Sequence, residues 1–383
     1  MPDTRLIAAI FAALSCTAIA YYAISIWAAG RFRTERSQSA DHSFTPPVSI
    51  LKSLKGLDPQ MMAAFRSHCV LDYPEYEVLF GAQDRDELAL QLVKRLQTEF
   101  PSKQLRIVHC PKLLGPNGKV STLAQMLPQA QYEHIIINDS DILVEQDYLS
   151  RVMAPLAHPQ AGMVTTLYRA VAGGSLGSRL EALGISTDFA VGVLVARAME
   201  GGIRFGLGAT IATTKRVLQQ IGGLEPLVDY LGDDYELGAR VAAAGHKVVL
   251  ADAIVETALP SYSFRDFWRH QLRWARNVKD RRPAQYVGLM FTFGIPWAIL
   301  AVVVAPLSWW TWVVLVATFA ARAAMAQRIG SGVLKDPQVM RDLWLVPLRD
   351  FLALAIWITS YFGNTVEWRG LRFQLRKGKL ESI

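Results

Sequence analysis

The sequence is poor in cysteine and in charged residues. Its 383 residues include three cysteines, Cys16, Cys69 and Cys110, which form no close pair and no metal-ligand spacing. A disulfide framework is therefore not expected, which agrees with a reducing compartment. Charged residues make up 19% of the chain and hydrophobic residues 51%, a composition that is apolar for a soluble enzyme of this length.

Two nucleotide-binding motifs are also missing. The sequence contains neither a Walker A motif nor G-x-G-x-x-G, so ATP hydrolysis and dinucleotide binding have no support. The formal net charge of +7 does not indicate a nucleic-acid partner, because the basic residues cluster beside the hydrophobic segments. This placement is typical of contact with the anionic head groups of a lipid bilayer.

Long hydrophobic runs stand near both ends of the sequence. Residues 6–29 carry no charge and are long enough to cross a bilayer, which takes about 20 apolar residues. The arginine-rich stretch that follows is unlike a signal-peptide cleavage site, which favours an uncleaved anchor. Two further apolar runs, 286–304 and 307–325, are separated by Pro306, and a weaker run covers 343–362.

These runs predict three parts: an N-terminal transmembrane anchor (1–30), a catalytic domain (31–284), and a C-terminal membrane region with two or three apolar segments and a basic tail (285–383). The arginines that follow the first run place the catalytic domain in the cytoplasm by the positive-inside rule. A full third span near the C-terminus would put the basic tail outside. Residues 343–362 are therefore predicted to be re-entrant or interfacial.

The central part alternates strand and helix patterns. Strands are predicted at 47–54, 77–84, 105–110 and from His134, and helices at 58–71, 88–100 and 120–127. Asp58 as N-cap and Pro59 at the first helical position mark the start of the first of these helices. This order predicts an α/β fold with a doubly wound parallel sheet and helices on both faces.

Two carboxylates follow the last of these strands. His134–Ile137 has the composition of a buried strand, and Asp139 and Asp141 come after it. Residues two apart in an extended chain point the same way, so both carboxylates are expected to face one point, as a Mg²⁺ or Mn²⁺ site requires. Asp84 ends another strand, at the edge where such sheets bind ligands. The alternative is an acidic turn that caps the next helix.

Two other segments carry candidate binding residues. The Gly/Asn turn at 115–122 leads into a helix whose free N–H groups, flanked by Lys112 and Lys119, suit a phosphate group; a simple turn is the alternative. Asp233 and Asp234 begin a later helix. Asp233 as N-cap would leave Asp234 free to face the sheet edge.

The segment 263–283 predicts a helix that enters the membrane region. Arg269, Arg273 and Arg276 fall on one of its faces, and aromatic residues fall on another. An amphipathic helix at the membrane interface explains this pattern. The alternative is that some of these arginines meet a diphosphate.

Taken in order, these elements resemble the ceramide glucosyltransferases and their bacterial relatives, glycosyltransferase family 21, which have a GT-A type domain. The resemblance is carried by the blocks "PPVSILKSLKGLDPQ", "LDYPEYEVLFGAQD", "INDSDI" and "QLRWAR", which lie within residues 46–276. It implies a GT-A sheet that is mostly parallel, with transmembrane helices at both ends, in a UDP-sugar-dependent glycosyltransferase.

The resemblance also implies roles for the acids. Asp84 is expected to contact the nucleotide, Asp139 to lie in the metal and nucleotide-sugar site, and Asp234 to be the catalytic base. Asp141 completes a D-x-D with Asp139 and would be the second metal residue. Independently of the resemblance, Lys119 beside the Gly/Asn turn is predicted to bind the donor phosphates.

The resemblance extends to the R/Q-x-x-R-W element, which Arg273 and Trp274 match. Its first position is His270 in this chain, with Arg269 displaced by one residue, so either side chain is a candidate for that role. Arg273 is expected to stabilise the diphosphate of the departing UDP.

The expected reaction is inverting transfer of a hexose, N-acetylglucosamine, from its UDP-sugar to a hydroxyl of a membrane lipid, a hopanoid polyol, at a bacterial inner membrane. Ceramide with UDP-glucose is the alternative. A processive polysaccharide synthase is a second alternative, although the C-terminal membrane region is short for a polymer channel. A non-catalytic membrane scaffold is the third.

Overall fold

The computed structural model describes residues 4–38, 42–85, 87–368 and 370–382. Its strands are β1 (Val48–Ser53), β2 (Tyr76–Ala82), β3 (Gln104–His109), β4 (His134–Asn138), β5 (Ala161–Val171), β6 (Thr210–Thr214), β7 (Lys247–Ala258), β8 (Thr365–Trp368), β9 (Leu371–Arg376) and β10 (Lys379–Ser382). Its α-helices are α1 (Thr4–Gln38), α2 (Met61–Cys69), α3 (Leu88–Glu99), α4 (Gly118–Met126), α5 (Tyr148–Met153), α6 (Leu176–Gly184), α7 (Ala190–Met199), α8 (Lys215–Gln220), α9 (Asp233–Ala243), α10 (Phe264–Arg281), α11 (Pro283–Gly288), α12 (Gly294–Val304), α13 (Trp309–Ala326), α14 (Pro337–Arg341) and α15 (Val346–Ser360).

The chain divides into two compact units. The sheet unit contains Arg36–Val171 and Met199–Pro260, and the helical unit contains Met1–Glu35, Ala172–Ala198 and Ser261–Ile383. The sheet unit has a seven-stranded sheet in the described residues, in the order β3-β2-β1-β4-β6-β5-β7. The pairs β1–β2, β2–β3, β1–β4 and β5–β7 are parallel, and β6 runs antiparallel to both of its neighbours. The predicted α/β fold with a mostly parallel sheet is confirmed.

The middle of the sheet consists of apolar strands that are buried on both faces. In β4, Ile135, Ile136 and Ile137 are at most 3% exposed. Continuous β-branched residues suit a strand that helices cover on both sides, and this explains why β4 lies in the interior of the sheet order. The carboxyl end of β4 is consequently held by strands on either side.

The predicted start of the first helix in this unit is wrong. Helix α2 begins at Met61, after Gln60, which has the left-handed φ of 57°. The carboxylate of Asp58 does not cap this helix but accepts a hydrogen bond of 2.7 Å from the hydroxyl of Ser140. A tertiary contact with the turn after β4 has replaced the local capping that the sequence pattern suggested.

The helical unit contains most of the apolar helices. Within the described residues, the helical stretches long and apolar enough to cross a membrane are Thr4–Glu35, Leu176–Met199, Trp309–Ser331 and Leu343–Ser360. The sequence patterns did not single out Leu176–Met199, because several charged residues interrupt it. The predicted run 286–304 is not one straight helix, since Pro283–Thr292 and Gly294–Val304 meet at an angle of 52°. The re-entrant or interfacial placement of 343–362 stays a prediction.

Buried ion pairs explain how charged residues are accommodated in these apolar helices. The guanidinium of Arg322 lies 2.7 Å from Asp350 and 2.6 Å from Asp188. Arg349 lies 3.2 Å from the other carboxylate oxygen of Asp188 and donates to the side-chain oxygen of Gln271 at 3.1 Å. Charges within apolar helices are costly unless they are paired, so this network provides the required partners.

Helices α1, α12 and α13 approach closely at Gly294. A Cβ atom at this position would lie 2.8 Å from the Tyr22 hydroxyl and 2.9 Å from both Ala18 and Thr318. The hydroxyls of Ser15 and Thr318 are 2.7 Å apart beside this glycine. Small residues and interhelical hydroxyl contacts are typical of helix packing in membranes.

We therefore expect Gly294→Ala to lower the apparent melting temperature of the detergent-purified protein, because overpacking costs about 1–3 kcal/mol. Gly288→Ala is the matched control, since a Cβ there would meet no atom within 4 Å of the described residues. Alanine is the better helix former, so the control is expected to be neutral or stabilising. Equal effects of the two substitutions would show that close packing at Gly294 is unimportant.

Candidate active site

The end of β4 is fixed by a buried asparagine. The side-chain amide of Asn138 donates to the Ala209 carbonyl at 2.8 Å, to the Thr210 hydroxyl at 3.0 Å and to the Tyr148 hydroxyl at 3.1 Å. These contacts hold β4 against β6 at its last residue. The position of Asp139, which comes next, is therefore set by the sheet.

The turn after β4 directs its two acids to different partners. A carboxylate oxygen of Asp139 lies 2.5 Å from the Lys119 ammonium, whereas the carboxylate of Asp141 accepts a hydrogen bond from the Thr257 hydroxyl. The extended geometry expected for D-x-D is wrong here, because the strand ends at Asn138. Burial, together with the charge of Asp139, raises the pKa of Asp141 to about 6.

Lys119 lies in the first turn of α4 among three acids. Its ammonium is 3.7 Å from the carboxylate of Asp233 in addition to its contact with Asp139. Burial disfavours the charged form of this lysine, but the carboxylates of Asp139, Asp233 and Asp234 outweigh burial and raise its pKa. Lys119 therefore stays protonated and balances part of the negative charge.

Asn117 joins the start of α4 to the start of α9. Its side-chain oxygen accepts from the Val120 N–H at 3.1 Å and so caps α4. Its side-chain nitrogen donates to the Tyr230 carbonyl at 2.9 Å and to the Asp233 carboxylate at 3.2 Å. One buried amide thus fixes Lys119 and Asp233 relative to each other.

The predicted capping role of Asp233 is wrong. Helix α9 begins at Asp233, and the residue before it is Gly232. The Asp233 carboxylate faces Asn117 and Lys119 instead, while Asp234 accepts a hydrogen bond of 2.8 Å from the Tyr235 N–H. Burial raises the pKa of Asp234 to about 6; the Asp233 charge adds to this effect and Lys119 opposes it. Because its pKa is raised, Asp234 is a stronger proton acceptor than an ordinary aspartate.

Gly208 leaves a space between two of the acids, and sequence reasoning missed it. A Cβ atom on Gly208 would lie 3.2 Å from one carboxylate oxygen of Asp234 and 3.6 Å from one of Asp139. A ligand atom in this space would contact both carboxylates. The only sequence signal was a glycine shortly before a strand, which does not reveal its neighbours.

Lys52 is a second residue that sequence reasoning missed. It lies fully buried on β1, and its ammonium donates a hydrogen bond of 3.0 Å to the backbone carbonyl of Asp139. Burial lowers the pKa of Lys52 to about 7, although the charges of Asp141 and Asp139 act in the opposite direction. A lysine within an apolar strand was the available signal, since buried lysines need a specific partner.

Asp84 lies two residues beyond the end of β2. Its side chain is 67% exposed and lies 3.1 Å from the ammonium of Lys55. The structure therefore pairs Asp84 with a lysine in the segment after β1. Its expected contact with a nucleotide stays a prediction.

The three remaining predicted residues lie on α10 of the helical unit. The indole N–H of Trp274 donates to Nε2 of His270 at 3.2 Å, and Nδ1 of His270 lies 2.8 Å from the Glu181 carboxylate. Arg273 lines a cavity between α10 and the small C-terminal sheet.

The residues after β4 suit a hard divalent cation. Within the described ranges, no cluster of three or more His, Cys, Asp or Glu side chains is arranged to hold a metal ion. Mg²⁺ and Mn²⁺ commonly take one or two carboxylates and complete their shells with water and substrate phosphates. Asp139, whose carboxylate borders the space at Gly208, meets this smaller requirement by itself.

Known proteins match this chain over most of its length. The family model described as Glycosyl transferase family 21 matches residues 10–381. The chain is 22% identical to ceramide glucosyltransferase 3 of Caenorhabditis elegans over 367 residues, which cover 91% of this chain and 76% of that protein. It is also 22% identical to ceramide glucosyltransferase 1 of the same organism over 349 residues, with 87% and 72% covered.

A solved structure supports the fold. The mannosyltransferase PcManGT of Pyrobaculum calidifontis, in complex with GDP-Man and Mn²⁺, superposes with a TM-score of 0.52. The two chains are 18% identical, and the match covers 91% of this chain and 98% of the other. The fold is therefore that of a GT-A type glycosyltransferase.

We expect Asn117→Ala to destabilise the protein by about 1–3 kcal/mol, because it removes a helix cap and leaves the Tyr230 carbonyl without this donor. Thr214→Ala is the control, since Thr214 caps α8 through the Val217 N–H at 3.1 Å. The measurement is the thermal unfolding midpoint in detergent. If Asn117→Ala lowers the unfolding midpoint no more than Thr214→Ala does, Asn117 contributes no more to stability than an ordinary helix cap.

Proposed function

Because this chain belongs to glycosyl transferase family 21, we propose that it transfers a hexose from a UDP-sugar to a hydroxyl group of a membrane lipid. The chain is a sugar-transferring enzyme, and its similarity to ceramide glucosyltransferases extends over most of its length. The observation that carries the proposal is the space above Gly208, which the carboxylates of Asp234 and Asp139 border. A proton acceptor and a donor-binding acid thus border the same space.

Asp234 is the proposed base. The proton of the acceptor hydroxyl moves to the Asp234 carboxylate while a bond forms between the acceptor oxygen and the anomeric carbon. The bond between that carbon and the diphosphate breaks, and UDP leaves with the electron pair. The raised pKa of Asp234, about 6, brings this carboxylate closer to the pKa that suits proton transfer at neutral pH.

Asp139 and Asp141 are the residues proposed to hold Mg²⁺ or Mn²⁺. A bound cation would neutralise negative charge on the departing diphosphate. Lys119, held by Asp139 and Asp233, supplies a positive charge in the same cluster. Asp84 is proposed to contact the nucleotide and Arg273 the diphosphate. Trp274, with His270 or Arg269 at the first position, completes the R/Q-x-x-R-W element.

The identities of the sugar donor and of the lipid acceptor are further parts of this proposal. UDP-N-acetylglucosamine and a hopanoid polyol are the pair expected from the sequence. The second candidate is UDP-glucose with ceramide, which the names of the two nematode relatives favour. The proposed location of the catalytic domain is the cytoplasmic face of a bacterial inner membrane.

The first test uses the purified chain with each UDP-sugar, each lipid and Mn²⁺. We expect UDP release together with a lipid that carries one added hexose, detected by mass spectrometry.

Gly208→Ala should weaken UDP-sugar binding by at least about tenfold, because a methyl group fills the space between the carboxylates. Gly192→Ala is the control, since its Cβ would meet no described atom within 4 Å. A polymeric product, or unchanged binding in Gly208→Ala, would contradict the proposal.

The second test separates the adjacent acids. Asp234→Asn should lower transfer at least about 100-fold, as expected when a general base is lost, while UDP-sugar binding persists. Asp233→Asn removes the same charge and should keep most of the activity. The opposite pattern would reassign the base to Asp233.

Stability gives an independent measurement for the same pair. The folded protein raises the pKa of Asp234 to about 6, so ionised Asp234 destabilises the fold above that pH. This penalty is largest above about pH 6 and shrinks as the pH falls below that value, where the folded carboxylate binds its proton while the unfolded one is still ionised. Asp234→Asn should therefore raise the thermal unfolding midpoint at neutral pH and make it less dependent on pH.

A further inference from the structure

Lys52 is a buried lysine within the apolar strand β1. It is 0% exposed, as are Ile50 and Leu51 beside it on the same strand. Taking an amino group out of water is costly, and replacing a buried charged group by an apolar side chain of similar volume is often neutral or stabilising. The stability of the sheet therefore gives no reason for a lysine at this position.

The side chain of Lys52 reaches past the end of the strand pair. The described pairing of β1 with β4 ends where Lys52 lies opposite Asn138, one residue before Asp139. The amino group of Lys52 donates a hydrogen bond of 3.0 Å to the backbone carbonyl of Asp139. This contact ties the first residue of the turn after β4 to β1. Because Lys52 is fully buried, it acts on a ligand only through Asp139.

The chain just after β1 holds the same turn a second time. The hydroxyl of Ser140 donates a hydrogen bond of 2.7 Å to the carboxylate of Asp58. The backbone of Asp139 and the side chain of Ser140 are thus both bound to this part of the chain. The carboxylate of Asp139 is left to face Lys119 and the space at Gly208.

We propose that Lys52 is a positioning residue for the donor site, because its hydrogen bond to the Asp139 carbonyl holds the Asp139 carboxylate beside the space at Gly208. This inference rests on the proposed function, in which Asp139 holds the divalent cation. Groups that orient a metal ligand without touching the metal typically contribute about 10-fold to 100-fold to metal affinity or activity. Lys52 is therefore needed for donor binding and is not needed for folding.

The test is Lys52→Met in the full chain purified in detergent, with UDP and Mn²⁺ as the probes in isothermal titration calorimetry. We expect UDP to bind at least about tenfold more weakly in the presence of Mn²⁺. The thermal unfolding midpoint should stay the same or rise, because methionine is apolar and unbranched. The Asp139 carbonyl also accepts from the Ile142 N–H at 3.4 Å, so it keeps a donor.

Lys215→Met is the matched control. The ammonium of Lys215 donates a hydrogen bond of 2.6 Å to the backbone carbonyl of Ala130, and its backbone N–H donates to the Glu133 carbonyl at 2.9 Å. This lysine therefore also holds a backbone carbonyl, but it lies at the amino end of β4, away from the acids. Its substitution should leave UDP binding unchanged.

Two results would overturn the inference while the proposed function stands. In the first, the unchanged chain binds UDP with Mn²⁺ and Lys52→Met binds it as tightly as Lys215→Met does. In the second, Lys52→Met lowers the unfolding midpoint more than Lys215→Met does, which would make Lys52 a structural residue. If the unchanged chain binds no UDP in the presence of Mn²⁺, the proposed function itself fails, and the role of Lys52 fails with it.

Discussion

The buried ammonium of Lys119 is the interaction on which the candidate site depends. Three aspartates would repel one another strongly if they met at the end of a sheet with no cation among them. Lys119 lies 2.5 Å from Asp139 and 3.7 Å from Asp233 and also lowers the pKa of Asp234 against the effect of burial. Because Asn117 fixes the start of α4, this positive charge stays in place without a ligand. The protein itself therefore holds these acids close together.

Charge pairing also governs the helical unit, where the surroundings are apolar. Arg322 joins Asp188 and Asp350, and Arg349 joins Asp188 and Gln271. Asp188 lies in a π-helical turn, Ile185–Phe189, an irregularity that is frequent at functional sites. Gln271 is on the same helix as His270 and Arg273, so the network connects the apolar helices to the helix that carries the R-W element. The ion pairs that make these helices possible thus also hold α10.

Local patterns gave a correct account where the chain follows a regular period. The apolar run before Asp139 predicted β4, and the arginine spacing predicted the single face of α10 that lines a cavity. Predictions failed where a side chain contacts a residue that is distant in the sequence. Asp58 bonds Ser140 instead of capping α2, and Asp233 faces Asn117 and Lys119 instead of capping α9. Capping rules describe the best local partner, and in both cases a tertiary partner has replaced it.

The sequence by itself determined the mostly parallel α/β sheet, the apolar helices and the family, and it singled out the candidate acids, because periodicity and ordered motif blocks are properties of the chain alone. Only the tertiary structure decided which groups surround those acids. Lys52 beneath the Asp139 carbonyl, Gly208 between Asp139 and Asp234, and the separate partner of Asp141 all come from segments far apart in sequence. Burial and charge are set by such neighbours, and the pKa values of the acids follow from them.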